Sequence, residues 1–167
     1  LSAVRFGNVL GSRGNVLEIW KKEYERGHPL SITDPNMKRY FMLTSEAAAL
    51  SIEASTLSNG GDILILDMGK EVRMTDLAEA FCKIQNTSLK AVGTKIIGIR
   101  PGEKLEEKLY SKNEQIVRTD HEKIFRINNN LNLKWEDLKE QIEELKILAT
   151  NGDRESLIKA ISSLSKL

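Results

Sequence analysis

Apolar positions follow two different spacings along the chain, and the two spacings alternate. Short apolar runs at residues 2–10, 30–34, 62–68 and 94–99 predict strands. Between them, apolar residues recur every three or four positions, which predicts amphipathic helices. The run at residues 62–68 is almost continuously apolar, as expected of a strand in a sheet that is covered on both faces. Strands that alternate with helices in this way predict an α/β fold.

The segment KIIGIRPGEKLEEKLY, residues 95–110, predicts a strand, a tight turn and then a helix. The apolar run ends at Arg100, and Pro101 with Gly102 favours a turn. Leu105 and Leu109 are four positions apart, which predicts a helix after the turn. Two short runs further on, QIVRT and KIFRI, predict edge strands.

The last part of the chain predicts a helical hairpin with charged outer faces. An NGD turn at residues 151–153 separates two stretches with apolar residues at helical spacing. The apolar residues are Trp135, Leu138, Ile142 and Leu145 in the first stretch, and Leu157, Ile161 and Leu164 in the second. Such a hairpin either packs as a cap on its own domain or contacts another subunit. We therefore predict one part at residues 1–130 and the hairpin at residues 131–167.

Composition and charge narrow the classes of function. The 25 basic and 24 acidic residues are interspersed, which argues against a nucleic-acid-binding surface. The single cysteine, Cys82, lies in a helical pattern, so an internal disulfide is excluded and a core position is predicted. Neither His28 nor His121 stands at a metal-ligand spacing, and no metal site is expected. No catalytic triad or P-loop can be assembled from the sequence.

The first candidate site is the segment RFGNVLGSRGNV near the start of the chain. Gly7, Gly11 and Gly14 permit close approach of the backbone to a ligand. Asn8 follows a predicted strand directly and has a side chain that can bind a polar group. The alternative is a plain turn that happens to be rich in glycine and asparagine.

The second candidate site combines two arginines with a carboxylate. Arg39 lies in ITDPNMKRYF, and Arg100 and Glu103 lie in IRPGEK. An arginine offers several donors in a plane that matches phosphate oxygens, and a carboxylate can accept from ribose hydroxyls. Together the three predict a site for a nucleotide diphosphate. The alternatives are a surface ion pair at Arg39 and a structural turn with an Arg–Glu pair at residues 100–103.

Four segments in this order resemble one enzyme family. They are RFGNVLGSRGNV, LSITDPNMKRYFM, GGDILILDMG with TDLAEAF, and IGIRPGEKLEEKL. They are similar to the C-terminal half of the nucleotide-sugar 4,6-dehydratases of capsule and surface-polysaccharide biosynthesis, which are extended short-chain dehydrogenase/reductases. The tail from His121 onward also resembles the end of the larger members of that family.

This resemblance implies a fold and a reaction. The fold would be the C-terminal, substrate-binding portion of an extended Rossmann-type short-chain dehydrogenase/reductase, ending in a helical hairpin. The typical substrate is UDP-N-acetylglucosamine. The family oxidises C4 of the sugar, eliminates water across C5 and C6, and returns the hydride to C6, so the cofactor is regenerated within one turnover.

The resemblance also assigns residues near the start of the chain. It places Gly7 near the nicotinamide and Asn8 at the sugar diphosphate. The residues that would offer backbone groups to the nucleotide follow in the glycine-rich turn and the first helical turn; they are Gly14, Asn15, Val16 and Leu17.

Further along, the resemblance places Leu30, Ile32 and Thr33 beside the uracil. Arg39 and Arg100 would hold the two phosphates, and Glu103 would accept from the ribose hydroxyls.

No catalytic residue is assigned to this chain. The family's glycine-rich cofactor loop, its Tyr-x-x-x-Lys pair and its acid and base residues are expected before Leu1, where NAD or NADP would mainly be bound. We expect this chain alone to be inactive and to bind a UDP-sugar. We expect a cytoplasmic location and homo-oligomers of the parent enzyme. We expect this chain to contact neither nucleic acid nor a membrane. The alternatives are a UDP-sugar epimerase of the same family and a non-catalytic nucleotide-sugar-binding module.

Overall fold

The computed structural model describes residues 1–111, 114–128 and 134–164. The chain forms two compact units, Leu1–Asn129 and Asn130–Leu167. The strands in the described residues are β1 (Ala3–Arg5), β2 (Asn8–Leu10), β3 (Leu30–Ile32), β4 (Lys38–Arg39), β5 (Phe41–Leu43), β6 (Ile63–Leu66), β7 (Val72–Arg73), β8 (Thr94–Ile96), β9 (Gln115–Arg118) and β10 (Ile124–Asn128). The helices are α1 (Val16–Glu25), α2 (Thr44–Leu57), α3 (Met74–Ile84), α4 (Leu89–Val92), α5 (Trp135–Thr150) and α6 (Arg154–Leu164).

The largest sheet has four strands in the order β1-β6-β10-β9. Strand β1 runs parallel to β6, whereas β10 runs antiparallel to both of its neighbours. Leu64, Ile65 and Leu66 are all buried, and successive strand residues point to opposite faces. The predicted strand covered on both faces is therefore confirmed.

Of the two predicted edge strands, one lies at the edge of the sheet and the other does not. Strand β9 lies at the edge of the sheet, and all four of its residues are exposed. The prediction was wrong for KIFRI, because β10 lies between β6 and β9. The burial of Ile124 and Ile127 in β10 explains its interior position.

The prediction of a single buried strand at residues 2–10 is wrong. This stretch is divided into β1, which joins the four-stranded sheet, and β2, which pairs in parallel with β5. Gly7 lies at the break, and a Cβ there would stand 3.0 Å from Tyr40 Cβ and 3.2 Å from the Tyr40 carbonyl oxygen. A side chain there would force Tyr40 to shift by a few tenths of an ångström, so glycine suits the point where the chain leaves one sheet for the other.

The predicted apolar face of α1 is confirmed. Trp20 is fully buried, and its ring lies 6.0 Å from that of Phe81 in α3. Asn15 caps the helix by accepting from Leu17 N–H at 2.9 Å, and Gly27, at φ +69°, ends it. Trp20 and Phe81 form a core with Leu30, Ile32 and Cys82, as predicted for the cysteine.

One detail of helix α3 differs from the sequence pattern, whereas helix α2 follows it. The spacing of Leu77, Ala78, Phe81 and Ile84 predicts that all four lie on one apolar face of α3, but Ile84 is 76% exposed. Its place in the core is taken by Cys82, two positions earlier, and by Met74 at the start of the helix. Helix α2 buries Ala47, Leu50 and Ala54 against the large sheet.

The helix predicted after residue 103 is absent. Residues 104–111, which we call the arm, contain no helical turn; they have one bridge in which Lys38 pairs with Glu106. An isolated helix this short is marginal in water, so tertiary contacts decide its conformation.

The second unit is the predicted helical hairpin. Helices α5 and α6 pack on each other, and residues 151–153 form the turn between them. Asp153 accepts from Ser156 N–H at 3.1 Å, which caps the start of α6. Among the described residues, no helix has the length and apolar character needed to cross a membrane.

Candidate functional site

Three of the predicted substrate residues line one small cavity. The cavity has a volume of about 160 Å³ and lies where β2 meets the start of α1. Asn8, Asn15 and Val16 line it, together with Ser12 and Phe41. The cavity can hold only part of a nucleotide, so the rest of a bound nucleotide would extend beyond it.

The glycine-rich turn before α1 is held by its own side chains. Gly14, at φ +73°, donates its N–H to Glu18 Oε2 at 3.0 Å. Asn15 donates from Nδ2 to the Ser12 carbonyl oxygen and accepts from Leu17 N–H through Oδ1. The N–H groups of Gly14 and Leu17, predicted to face the nucleotide, are therefore paired within the turn.

Strands β3 and β8 position the segment predicted beside the uracil. The side chains of Leu30 and Ile32 lie in the core. Leu30 N–H donates to the Gly93 carbonyl oxygen, and the Ile32 carbonyl oxygen accepts from Ile97 N–H. The two strands are parallel, and their ends lie at the same edge. The Thr33 carbonyl oxygen accepts from Gly98 N–H at 3.1 Å, two residues before Arg100.

Residues 100–103 form the predicted tight turn. Glu103 N–H donates to the Arg100 carbonyl oxygen at 2.9 Å, and Gly102 has φ +88°, as a type II turn requires at its third position. The Glu103 carboxylate accepts from Arg100 N–H at 3.0 Å. Among the described residues, the Arg100 guanidinium has no protein partner and is exposed.

Three cations from the sheet strands hold the segment that follows the turn. Lys38 Nζ lies 2.8 Å from Glu106 Oε1. Arg39 contacts the beginning of the arm, and Arg5 donates to the Leu109 carbonyl oxygen and pairs with Glu114 at 3.0 Å. These contacts use backbone carbonyl oxygens that a helix would need for itself, which explains why the arm is not helical.

Arg39 has the most contacts of the three cations, and its side chain is 6% exposed. Its guanidinium donates to the carbonyl oxygens of Lys104 at 2.7 Å, of Leu105 at 3.0 Å and of Lys38 at 2.8 Å. Its Nε lies 3.1 Å from Glu107 Oε1. The Arg39 side chain is therefore enclosed, and its ion-pair partner Glu107 is partly exposed.

The ion pairs of the arm shift the pKa values of their members. The hydrogen bond from Lys38 lowers the pKa of Glu106, and the same bond raises the pKa of Lys38. Burial acts to raise the pKa of Glu114, but hydrogen bonds from Ser111 N–H and Arg5 outweigh it, and the pKa lies below its usual value. All three groups are therefore charged near neutral pH.

The predicted site segments are joined to one another by hydrogen bonds. Asn8 N–H donates to the Tyr40 carbonyl oxygen at 3.0 Å, next to Arg39. Arg39 reaches the arm, and the Thr33–Gly98 bond joins β3 to the strand before the turn. The fold thus brings together the first, second and last of the segments that carry the resemblance.

Sequence reasoning missed several contributors to this region. Ser12 and Phe41 line the cavity, and Lys38 and Arg5 hold the arm. All four lie within segments that were already singled out, so their position was a usable signal. The partner of Lys38 could not be inferred, because it is 68 residues away. Among the described residues, no group of acidic, histidine or cysteine side chains is arranged to bind a metal ion.

Comparisons with known proteins agree with the resemblance. A family model described as "Polysaccharide biosynthesis protein" matches residues 1–129. The chain is 43% identical to the capsular polysaccharide biosynthesis protein CapD of Staphylococcus aureus over 87% of its own length and 25% of CapD. It is 32% identical to a UDP-N-acetylglucosamine 4,6-dehydratase (inverting) of Campylobacter jejuni, over 79% of this chain and 37% of that one.

Two further relatives bear on activity and fold. A UDP-glucose 4-epimerase of Rickettsia rickettsii is 32% identical over 76% of this chain and 36% of the epimerase. The X-ray structure of Pen from Bacillus thuringiensis matches with a TM-score of 0.69 and 32% identity, over 78% of this chain and 40% of Pen. The chain thus spans between a quarter and two fifths of the relatives it matches.

These matches and the observed architecture confirm the predicted α/β fold with a helical end. They cover the segments RFGNVLGSRGNV to IGIRPGEKLEEKL on which the resemblance depends. The chain belongs to the polysaccharide biosynthesis protein family.

Proposed function

We propose that the complete gene product is an NAD(P)-dependent nucleotide-sugar 4,6-dehydratase acting on UDP-N-acetylglucosamine in surface-polysaccharide biosynthesis. This chain would supply the nucleotide-sugar-binding part. The observation that carries the proposal is the turn at residues 100–103. The exposed Arg100 guanidinium has no partner among the described residues, and the Glu103 carboxylate accepts from the Arg100 backbone N–H. The similarity to the Campylobacter protein named as a UDP-N-acetylglucosamine 4,6-dehydratase supports the proposal.

Arg100 and Glu103 have the chemistry that a nucleoside diphosphate requires. Arg100 offers up to five N–H donors to phosphate oxygens. One oxygen of Glu103 is held by Arg100 N–H, which fixes the carboxylate. The other oxygen can accept from a ribose hydroxyl. Glu103 is thereby oriented before the ligand arrives, which lowers the ordering cost of binding.

The cavity beside Asn8 would take another part of the same ligand. The Asn8 side chain provides both donors and an acceptor, and the walls formed by Val16 and Phe41 are apolar. Pockets for small ligands commonly combine apolar walls with a few polar groups that fix orientation. We assign this cavity to the sugar diphosphate end of the substrate.

The cofactor is assigned to polypeptide outside this chain. Gly7 is the one residue here that the resemblance places near the nicotinamide. The space beside its Cα is occupied by Tyr40 and Met68, with Met68 Cε 3.3 Å from where a Cβ would lie. Side chains of this chain thus occupy one side of Gly7, and no hydride or proton transfer is assigned to the described residues.

Calorimetric titration of the gene product with UDP tests the binding part of the proposal. We expect saturable binding that Arg100→Ala weakens by about 1–3 kcal/mol, the contribution of a charged hydrogen bond. The same titration of Lys95→Ala, which removes an exposed cation from the strand before the turn, is the control. Equal affinities for the wild type and Arg100→Ala would contradict the proposal.

A second experiment distinguishes the reactions. Mass spectrometry of UDP-N-acetylglucosamine after incubation with the enzyme should show a product lighter by one water. An unchanged mass with inverted configuration at C4 would identify the epimerase alternative, which the Rickettsia relative supports. Binding without any conversion would identify a non-catalytic nucleotide-sugar-binding module.

A further inference from the structure

Two asparagines of this chain, Asn59 and Asn151, directly precede a glycine. Both are exposed, and both follow the end of a helix, Asn59 after α2 and Asn151 after α5. An asparagine in this position can react with the next backbone nitrogen, because glycine has no side chain to shield that nitrogen. The ring formed by the attack includes the Cα–C bond of the asparagine, so the backbone must be free to rotate about it.

The Asn151 dipeptide is held in the helical conformation. Asn151 has φ −76° and ψ −8°, and its N–H donates to the Ile147 carbonyl oxygen at 3.0 Å. The Gly152 N–H, which belongs to the attacking nitrogen, donates to the Ala149 carbonyl oxygen at 3.2 Å. These bonds to the end of α5 must break before Asn151 can react.

The Asn59 dipeptide lies in the turn between α2 and β6 and is less restrained. Ser58, with ψ 133°, has already left the helical conformation. In the part of the chain that the structure describes, Gly60 N–H donates to no backbone carbonyl oxygen. It donates to Ser58 Oγ, and at 3.3 Å this hydrogen bond is long. A Cβ on Gly60 would have no atom within 4 Å apart from its chain neighbours, so this side of the dipeptide is open.

Ser58 links the attacking nitrogen to a carboxylate. Its Oγ accepts from Gly60 N–H and donates to Asp62 Oδ2, in both cases at 3.3 Å. Ser2 Oγ, 2.5 Å from Ser58 Oγ, can be the donor in that contact, which leaves the Ser58 proton for Asp62. Arg126 Nε, 3.2 Å from Asp62 Oδ1, holds the carboxylate in place. A hydroxyl between an N–H and a carboxylate can pass a proton from one to the other.

We propose that Asn59 is a site of spontaneous deamidation and that Ser58 and Asp62 assist the reaction. The Gly60 nitrogen attacks Asn59 Cγ, its proton passes to Ser58 Oγ, and the Ser58 proton passes to Asp62. A bond forms between the Gly60 nitrogen and Cγ, the bond from Cγ to the side-chain nitrogen breaks, and that nitrogen leaves as ammonia with the proton from Asp62. Water then opens the succinimide to aspartate or isoaspartate, and nothing is oxidised or reduced.

The modification alters a turn that also holds the start of the chain. Gly61 N–H donates to the Leu1 carbonyl oxygen at 2.8 Å, and Ala3 N–H donates to the Asp62 carbonyl oxygen at 2.9 Å. Asn59 N–H donates to Asp62 Oδ2 at 2.9 Å. Deamidation adds a negative charge close to that carboxylate, and like charges repel. Isoaspartate also lengthens the backbone within the turn.

Peptide mass spectrometry of the gene product, incubated at neutral pH, measures both asparagines in one sample. We expect Asn59 to convert roughly tenfold faster than Asn151, because the Asn151 dipeptide must first leave the end of its helix. In urea the two rates should become similar, since the fold no longer separates them. No conversion of Asn59, or equal rates in the folded protein, would overturn the proposal.

Ser58→Ala tests the assistance, because the two possible roles of Ser58 give opposite signs. If Ser58 passes the proton, conversion of Asn59 slows on the order of tenfold, a modest effect for a general base because both hydrogen bonds are long. If Ser58 only restrains Gly60 N–H, conversion becomes faster. A faster or unchanged rate would overturn the assistance.

Two further variants control for the loss of a hydroxyl. Ser58→Thr keeps the hydroxyl and should keep most of the rate. Ser55→Ala removes a hydroxyl that bonds within α2, to the Ile52 carbonyl oxygen, and should leave the conversion of Asn59 unchanged. Equal slowing in Ser55→Ala and Ser58→Ala would overturn the assistance. Conversion of Asn151 in every variant is the internal reference, and an unchanged rate there shows that the fold is intact.

Discussion

At the scale of single residues, surroundings decide what each side chain can do. Arg39 and Arg100 are the same residue type in segments that both matched the family pattern, yet one is enclosed by carbonyl oxygens and the other is exposed. Sequence spacing could not separate them, because the partners of Arg39 lie 65 and 66 residues away in the chain. Contacts over such separations depend on the completed fold.

Cys82 has an environment that should make its thiol inert. The side chain is fully buried in the first core, and burial raises the pKa of the thiol above its ordinary value. Since the thiolate is the reactive form, we expect very slow alkylation of Cys82 by iodoacetamide in the native protein and rapid alkylation in urea. Site-resolved peptide mass spectrometry measures both rates. Similar rates in the two conditions would show that the core opens readily.

Glu114 should make the protein sensitive to acid. Its pKa is lowered in the folded state, so its stabilising contribution is complete above the ordinary glutamate pKa of about 4.3 and is lost as the pH falls through the lower folded value. We expect Glu114→Gln to flatten the acid limb of a plot of unfolding free energy against pH, measured with urea. Glu122→Gln, at an exposed carboxylate, is the control. Parallel acid limbs for the wild type and Glu114→Gln would contradict this account.

At the scale of elements, local signals predicted most of the structure where contacts are local. Trp20, the Asn15 cap and Gly27 define α1 within about a dozen residues, and the prediction of that helix is confirmed. The arm shows the opposite case. Its sequence, KLEEKLY, favours a helix, but bonds from Arg39 and Lys38 to its carbonyl oxygens override that preference. The helical spacing of apolar residues reflects only the preference of the segment itself and not its contacts with the rest of the fold.

The turn at residues 100–103 gives a prediction at this scale. Gly102 has φ +88°, with open space around the position of a Cβ, so the cost of a side chain is backbone strain rather than a clash. We expect Gly102→Ala to lower the free energy of unfolding by about 1 kcal/mol. Gly102→Asn should cost less, because asparagine tolerates positive φ. Urea unfolding checks both, and equal stability of Gly102→Ala and the wild type would show that the turn can change its form.

At the scale of the whole molecule, the predicted ligand-binding groups belong to one of the two compact units. The site segments lie within Leu1–Asn129, which is also the range that the family model matches. The hairpin, with α5 and α6, contributes none of the predicted site residues. The position of the hairpin as a separate helical pair was predictable because its apolar stripe is long and regular.

Removal of the hairpin should therefore spare ligand binding. We expect the gene product shortened after residue 129 to bind UDP within about twofold of the full protein, because all the predicted ligand-binding residues belong to the other unit. Calorimetric titration measures the affinity, and circular dichroism confirms that the shortened protein is folded. Loss of UDP binding by a folded, shortened protein would place part of the site in the hairpin.

The chain has two tryptophans, and the two units hold one each. The indole of Trp20 is fully buried in the first unit and donates to the Ser31 carbonyl oxygen at 2.7 Å. Trp135, at the start of α5, is 65% exposed. Fluorescence from Trp20 should therefore be blue-shifted and protected from acrylamide, and fluorescence from Trp135 should be red-shifted and readily quenched. With no label added, a red shift of the emission therefore reports loss of structure in the first unit, because the exposed Trp135 already emits in the red-shifted range.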